Sequence, residues 1–200
     1  MKNFRRLLVM AAGIVLATSI PPVANAQALN SNVGTVTLNA TLAESLTVSV
    51  TGGAVVNFTL AANTAANPGS TTSTIQTAWV LTPGRSKVSV WAWVANGGAA
   101  LTDGAAGDNI PASAVTATAA GSGSAGGALN TVASGGPGVP AFVTPGAATG
   151  VQIGNVTINA ANRASNTTTT LTWNINTTGV PQLPAATYTG TVNIQAQATP

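Results

Sequence analysis

The fold is decided by the stretch TVTLNATLAESLTVSV, residues 35–50, in which nearly every second side chain is apolar. Threonine, asparagine or serine separates the apolar residues, and the alternation is interrupted only at Ala43-Glu44-Ser45. Successive side chains of a β-strand point to opposite faces, so such a run has one apolar and one polar face. The stretch therefore predicts half-buried strands of an antiparallel sheet.

The same alternation recurs outward along the chain. It is found at residues 56–60, 75–81, 88–94, 171–175 and 188–198. Pro83-Gly84 suits the centre of a type II turn, which predicts a hairpin between the second and third of these runs. Roughly eight to ten short strands at this spacing predict an all-β protein, with an Ig-like antiparallel β-sandwich as the expected architecture.

The middle of the chain is different in composition. From residue 96 to about residue 138, glycine, alanine and serine dominate, and residues 119–127 carry no side chain larger than serine or threonine. Such a segment buries too little area to offset the ordering of its glycines. We expect a flexible segment at about 96–138 within a single domain that covers residues 27–200.

The first 26 residues have the pattern of a cleavable secretory signal peptide. Lys2, Arg5 and Arg6 precede an apolar run at residues 7–20, and Ala24-Asn25-Ala26 fits the cleavage site. The run is shorter than the ~20 residues that cross a bilayer, and prolines follow it. We expect cleavage after Ala26 and a mature chain that is secreted, in the periplasm or at the cell surface, with no membrane span.

The mature chain has balanced charges. Its basic residues are Arg85, Lys87 and Arg163, and its acidic residues are Glu44, Asp103 and Asp108. Because no basic patch remains to neutralise phosphates, nucleic acid is not an expected partner. So few charges also leave little repulsion between copies. Self-association, or association with related surface subunits, is the expected kind of partnership.

The side chains that most catalytic sites need are missing. The chain has no histidine and no cysteine, which excludes Ser-His-Asp and Cys-His catalysis and zinc sites with the usual ligands. Glu44 lies in a short connection and is expected to be a solvated turn residue. We expect no enzyme activity, no catalytic residue and no cofactor.

Asp103 and Asp108 lie in one loop, where oxygen ligands could bind calcium. Their spacing does not match the 1-3-5 ligand pattern of known calcium loops. Asp-Gly and Asp-Asn pairs are also ordinary turn formers. A turn is therefore the favoured interpretation, calcium is the weaker alternative, and we predict no metal site.

Trp91 and Trp93 face away from Val88, Val90 and Val94, which makes their strand apolar on both sides. One interpretation is an aromatic binding patch for a sugar or a protein surface. The other is a central strand buried on both faces, with its second face covered by the glycine-rich segment. Large aromatic side chains are usually packing residues, which favours the second interpretation.

Both ends of the chain resemble a known family. Residues 36–63, VTLNATLAESLTVSVTGGAVVNFTLAAN, resemble the opening of spore coat protein U-type domains and archaic chaperone–usher pilins, with Phe58-Thr59 in place of a Phe-Gly-Thr motif. Residues 184–192, PAATYTGTV, are similar to the closing Pro-x-Gly-x-Tyr strand of that family, with Ala186 in place of the glycine. A cysteine that the family usually has near Leu46 is absent.

The resemblance implies an incomplete Ig-like sandwich that a neighbouring subunit completes by β-strand addition, with a periplasmic chaperone as a further partner. The donated segment would lie within residues 27–42, with Val36, Leu38, Ala40 and Leu42 as the side chains that fill successive pockets. In the simpler alternative, this segment is the first strand of a self-contained sandwich.

The leading hypothesis for function is thus a non-enzymatic structural or adhesive surface protein of bacterial type, such as a subunit of a pilus-like fibre or coat. The alternative is a monomeric extracellular Ig-like module that binds a carbohydrate or protein through Trp91, Trp93 and the loops of the middle segment.

Overall fold

The computed structural model describes residues 31–104, 108–136, 139–141, 148–180 and 182–200. The predicted signal peptide, residues 1–26, lies outside them. The chain divides into two compact units, Met1–Ala40 and Thr41–Pro200. The described part of the first unit, residues 31–40, contains no helix or strand, and its side chains are exposed.

The second unit is built almost entirely of strands. In the described ranges they are β1 (Ser45–Gly52), β2 (Asn67–Pro68), β3 (Ser73–Val80), β4 (Lys87–Val94), β5 (Leu101–Thr102), β6 (Asn109–Ile110), β7 (Val115–Ala120), β8 (Gly126–Ala128), β9 (Val132–Ala133), β10 (Thr149–Thr157), β11 (Ala164–Ile175) and β12 (Asn193–Thr199). A short 3-10 turn covers Ala112–Ala114. Among these residues no helix is long and apolar enough to cross a membrane.

The strands form two main sheets. Sheet I has the order β1-β3-β11-β7-β8, with β2 paired to β11, and sheet II has the order β12-β4-β10-β9. Strands β5 and β6 form a separate ribbon. All the described strand pairs are antiparallel. The prediction of an all-β antiparallel protein is confirmed.

The predicted hairpin between β3 and β4 is wrong. The turn itself is present, since Arg85 N–H donates to Thr82 O at 3.2 Å. However, β3 pairs with β1 and β11, whereas β4 pairs with β12 and β10. Because β4 is buried on both faces, it takes a central place in sheet II. The turn carries the chain from one sheet to the other.

The two sheets share one apolar core. Ile75, Leu171 and Ile175 of sheet I belong to the same buried cluster as Val90, Val151 and Ile153 of sheet II. At one end of the sheets, Trp79, Leu81, Val88 and Ile158 form a second cluster, against which Leu46 and Ala198 pack. Side chains from the inner face of each sheet are thus removed from water together, which is the dominant favourable term in folding.

The middle segment has more regular structure than its composition predicts. Strands β5 to β9 all lie within residues 96–136. Ala117 of β7 is fully buried, as is Leu129 just after β8. Gly126 has a φ of +72°, and a Cβ there would collide with the Ala117 carbonyl. Small side chains pack close to neighbouring strands here, so tertiary contacts order part of the segment. Flexibility of the segment remains a prediction.

Candidate functional site

An apolar groove of about 800 Å³ opens at one edge of the second unit. One rim is residues 53–62, which follow β1, and the other is residues 183–194, which lead into β12. The floor is formed by inner-face side chains, including Ile75, Val115, Leu129, Trp173 and Ile175. Val50, at the start of the first rim, faces this opening and remains 45% exposed.

The rim of residues 53–62 is paired on one side. Asn57 O accepts from Ser70 N–H at 2.8 Å, and Ala61 N–H donates to Asn67 Oδ1 at 2.7 Å. Peptide groups of an extended chain point alternately to its two sides. The intervening residues, Val56, Phe58 and Leu60, therefore direct their backbone N–H and C=O groups the other way. Their side chains are half-buried against the core.

The rim of residues 183–194 has the same construction. Thr189 exchanges two backbone hydrogen bonds of 2.9 Å with Thr102 on the side away from the groove. The alternating residues Tyr188, Gly190 and Val192 therefore direct their backbone groups to the opposite side. The Tyr188 and Val192 side chains pack, half-buried, against the same core as the first rim.

The two rims together suit one kind of occupant. Each combines a row of backbone groups along its free side with apolar side chains that face the floor. An extended peptide satisfies both, because its main chain pairs with strand edges while alternate side chains enter apolar pockets. The groove therefore offers the two kinds of contact that an extended peptide uses.

Beyond Val50 the groove is closed by the approach of β1 to β12, and a separate, smaller opening lies further along, between the start of β1 and the end of β12. There the edges of β1 and β12 meet, with Leu46 and Ala198 packed on the same apolar cluster. Glu44 and Arg85 form an ion pair beside this contact, with Arg85 Nη2 3.2 Å from Glu44 Oε2. Arg85 Nη1 also approaches Ala198 O at 3.5 Å. These residues join the start of β1 to the end of β12.

We call Glu44, Thr82 and Arg85 the latch. Glu44 Oε1 accepts hydrogen bonds from the Thr82 N–H and from the Thr82 hydroxyl, both at 2.8 Å. The Arg85 guanidinium and the Thr82 donors together lower the pKa of Glu44 to about 2. Glu44 is therefore more than a solvated turn residue. Its partners lie 38 and 41 positions away along the chain, so no local pattern could reveal them.

The predicted donor side chains are exposed. Val36, Leu38 and Leu42 are 84%, 88% and 82% exposed, and Ala40 is exposed as well. A row of large apolar side chains in water is unfavourable by ~1.5–3 kcal/mol for each Val or Leu relative to burial. Burial of these side chains would therefore be favourable.

Trp91 and Trp93 do not form an exposed patch. Each is 5% exposed, and both cluster with Ala148, Val132 and Val139 from the middle of the chain. Both side chains therefore pack in the interior, as expected for a central strand that is buried on both faces. It leaves no open indole face on this strand for a sugar to stack on.

Replacing Trp91 by alanine is expected to lower the free energy of unfolding by about 3–5 kcal/mol, because the cavity left by a buried aromatic ring refills only in part. Denaturant titration followed by circular dichroism measures this. Thr172→Ala, on an exposed position of β11, should change it by less than about 0.5 kcal/mol. Unchanged stability with loss of glycan binding would instead support the binding patch.

The acidic loop, residues 102–109, is described except for residues 105–107. Within the ranges that the structure describes, no three His, Cys, Asp or Glu residues come together. Partial burial of the phenol raises the pKa of Tyr188, and the nearby carboxylates of Asp103 and Asp108 raise it further. The Tyr188 hydroxyl donates to Pro184 O at 3.0 Å, a hydrogen bond between two residues of the same groove rim.

Comparisons of the chain with protein-family models, with curated proteins and with solved structures gave no match. The groove, its two rims and the exposed donor segment are therefore the features from which a function can be inferred.

Proposed function

We propose that this chain is a non-enzymatic, secreted structural subunit of a surface assembly, in which the groove of one copy takes up residues 33–42 of another copy as an added β-strand. The observation that carries the proposal is that one chain holds both parts. It has an apolar groove between two rims whose backbone is hydrogen-bonded on the side away from the groove, and an exposed segment with the alternation of a half-buried strand.

The alternation of the donor matches that of the rims. On both rims it is the even-numbered residues, such as Phe58 and Val192, that face the core. The large apolar residues of the donor, such as Leu38, also recur at every second position. An inserted strand would place these on the floor and leave its Thr and Asn side chains in water, as at any half-buried strand.

The closed end of the groove sets the direction of the added strand. A donor is joined to its own subunit through residue 43, so that subunit must lie beyond the open end, near Leu60 and Leu183. The donor would therefore run from the Val50 end toward the open end. In this direction it is antiparallel to the rim of residues 183–194, which is the slightly more stable kind of pairing.

A second copy is a better source of the strand than the same chain. To enter its own groove, the segment would have to reverse direction at residues 43–45. This stretch lacks the Gly, Asn or Asp that tight hairpin turns prefer, and the latch holds Glu44 in place. Donation from copy to copy is a heterologous contact, which produces open filaments where it does not close into a ring.

This proposal includes an Ig-like sandwich that lacks one edge strand. Two features support it. The first is the packing of two antiparallel sheets over one core. The second is the Tyr188 hydroxyl bound to the backbone four residues upstream, which resembles the tyrosine corner found near the start of a late strand in Ig-like domains.

Deleting residues 27–42 tests the proposal. The mature chain, residues 27–200, is expected to form polymers that sediment and are visible by electron microscopy. The chain that begins at Ala43 should remain monomeric, because it keeps the groove but has no strand to donate. A control chain that lacks only residues 27–30 should still polymerise. Monomers from all three chains would contradict the proposal.

A further inference from the structure

The smaller opening, which we call the end pocket, lies where the chain leaves the sheets toward the donor segment. Its volume is about 280 Å³. Its walls include the apolar side chains of Leu46, Leu81 and Ala198, all of which also take part in the cluster at this end of the sheets. The ion pair of Glu44 and Arg85 borders it. The end pocket therefore combines apolar walls with a charge-balanced edge.

Chain connectivity places the end pocket beside any subunit that takes up the donor. Only Ala43 separates Leu42, the last apolar residue of the donor, from Glu44. Two residues of fully extended chain span at most ~7 Å. The latch holds Glu44 against Thr82 and Arg85, so this point belongs to the body of the donor's own subunit. Whatever part of the accepting copy surrounds Leu42 must also lie close to the end pocket.

The rim that leads into β12 identifies that part of the accepting copy. Val36 and Leu42 are six positions apart, and so are Ile194, where the lining of the groove ends, and Tyr188. In the antiparallel direction inferred above, a donor with Val36 beside Ile194 brings Leu42 beside Tyr188. The next rim residues toward the open end are 184–187, and all four are exposed. This segment of the accepting copy would therefore face the end pocket.

We propose that the end pocket receives residues 184–187 of the copy that accepts the donor, which makes a second contact between subunits at every joint of the assembly. This inference rests on the proposed function of the groove. The segment suits the pocket, because Pro184, Ala185 and Ala186 are small and uncharged. The hydrogen bond from the Tyr188 hydroxyl to Pro184 O holds the segment in shape.

The contact needs little affinity of its own. Once a strand has been added, the end pocket and the segment of residues 184–187 belong to copies that are already joined. Their contact then forms as an intramolecular one, at an effective concentration set by the length of the linker. Since the linker is the single residue Ala43, this concentration is high.

Disulfide trapping in the full mature chain, which has no native cysteine, tests the contact. Ser45→Cys, in the end pocket, is combined with Ala185→Cys or with Thr187→Cys. Within one copy the length of the groove separates these positions, so a disulfide joins two copies. At least one pair should give a ladder of covalent oligomers. Ser49→Cys with Ala185→Cys should give none, because Ser49 lies ~13 Å further along β1, beyond disulfide reach.

A longer linker gives a matched variant that leaves the donor and the groove unchanged. Gly-Ser-Gly-Ser inserted between Leu42 and Ala43 should preserve polymers under reducing conditions, but lower the yield of the ladder about tenfold or more. Its filaments should also be more curved in electron micrographs, because Gly/Ser linkers behave as flexible coils. The same insertion before Val33 should change neither the ladder nor the curvature.

Three outcomes separate the claims. A ladder from a Ser45 pair that the insertion after Leu42 lowers supports the contact at the end pocket. Polymers without a ladder from either Ser45 pair, an equal ladder from the Ser49 pair, or a ladder that this insertion leaves unchanged overturns the contact and leaves strand addition intact. A parent chain that forms no polymers overturns the proposed function, and the contact with it.

Discussion

Leu38→Asp is expected to abolish polymerisation while leaving the individual subunit folded. The side chain is 88% exposed in the subunit, so the fold does not depend on it. In the groove it would lose ~1.5–3 kcal/mol of apolar burial, and a carboxylate there would be buried without a partner, which is unfavourable by several kcal/mol more. The assembly constant should fall by at least about a thousand-fold. Sedimentation velocity across a concentration series measures it.

Asn39→Asp is the matched control for this experiment. It introduces the same charge one position along the chain, on the face that would remain in water, and should change assembly by less than about tenfold, the scale of an exposed charge interaction. Equal loss in both variants would indicate a general effect of charge, and equal retention would show that the donor face is not buried in any assembly.

A synthetic peptide of residues 33–42 is expected to raise the melting temperature of the chain that begins at Ala43. A ligand that binds only the folded state stabilises it by ~2.7 kcal/mol when present at a hundred times its dissociation constant. For a domain of this size, that corresponds to a rise of roughly 5–10 °C. Differential scanning calorimetry at increasing peptide concentration measures the shift.

The same peptide carrying Leu38→Asp serves as the control and should leave the melting temperature unchanged. Tryptophan fluorescence gives a second measurement, because Trp173 lines the floor of the groove and an inserted strand would cover it. A melting temperature that the parent peptide does not move, at concentrations where the protein is folded and monomeric, would show that the groove does not accept this strand.

The sequence predicted those elements whose pattern is local. At β1, Leu46 and Val48 alternate with Thr47 and Ser49, and the strand faces the core as the alternation requires. The burial of Trp91 and Trp93 could also be anticipated from a strand that is apolar on both faces. Period-two alternation depends only on neighbours in the chain, so it is visible without a structure.

Which strands pair with each other was harder to predict from the sequence. Turn residues at Pro83-Gly84 predicted a hairpin, yet β3 and β4 lie in different sheets, since nothing in a turn specifies which edges meet. In the middle segment, Ala117 and Leu129 become buried because distant strands cover them. Composition alone could not show that contact.

The candidate site was only half predictable. Val36, Leu38, Ala40 and Leu42 could be named as expected donor residues only through the resemblance to a known family, and their alternation indicated which side chains would fill the pockets. The groove could not, because residues 56–60 and 188–194 have the pattern of ordinary half-buried strands. What distinguishes them is that they line an open groove, and whether a neighbouring strand covers a given edge leaves no trace in the local sequence.

Residues 33–60 contain, in unbroken succession, the donor segment, the latch residue Glu44, strand β1 and one rim of the groove. If a filament of such subunits were pulled at its ends, the force on the donor segment of one subunit would be transmitted along this single stretch of backbone. It would reach the rim of the same subunit that binds the donor segment of the next one. Pulling along strands strains many hydrogen bonds at once, whereas peeling breaks them one by one. A filament of such subunits would resist stretching without any covalent bond between its members.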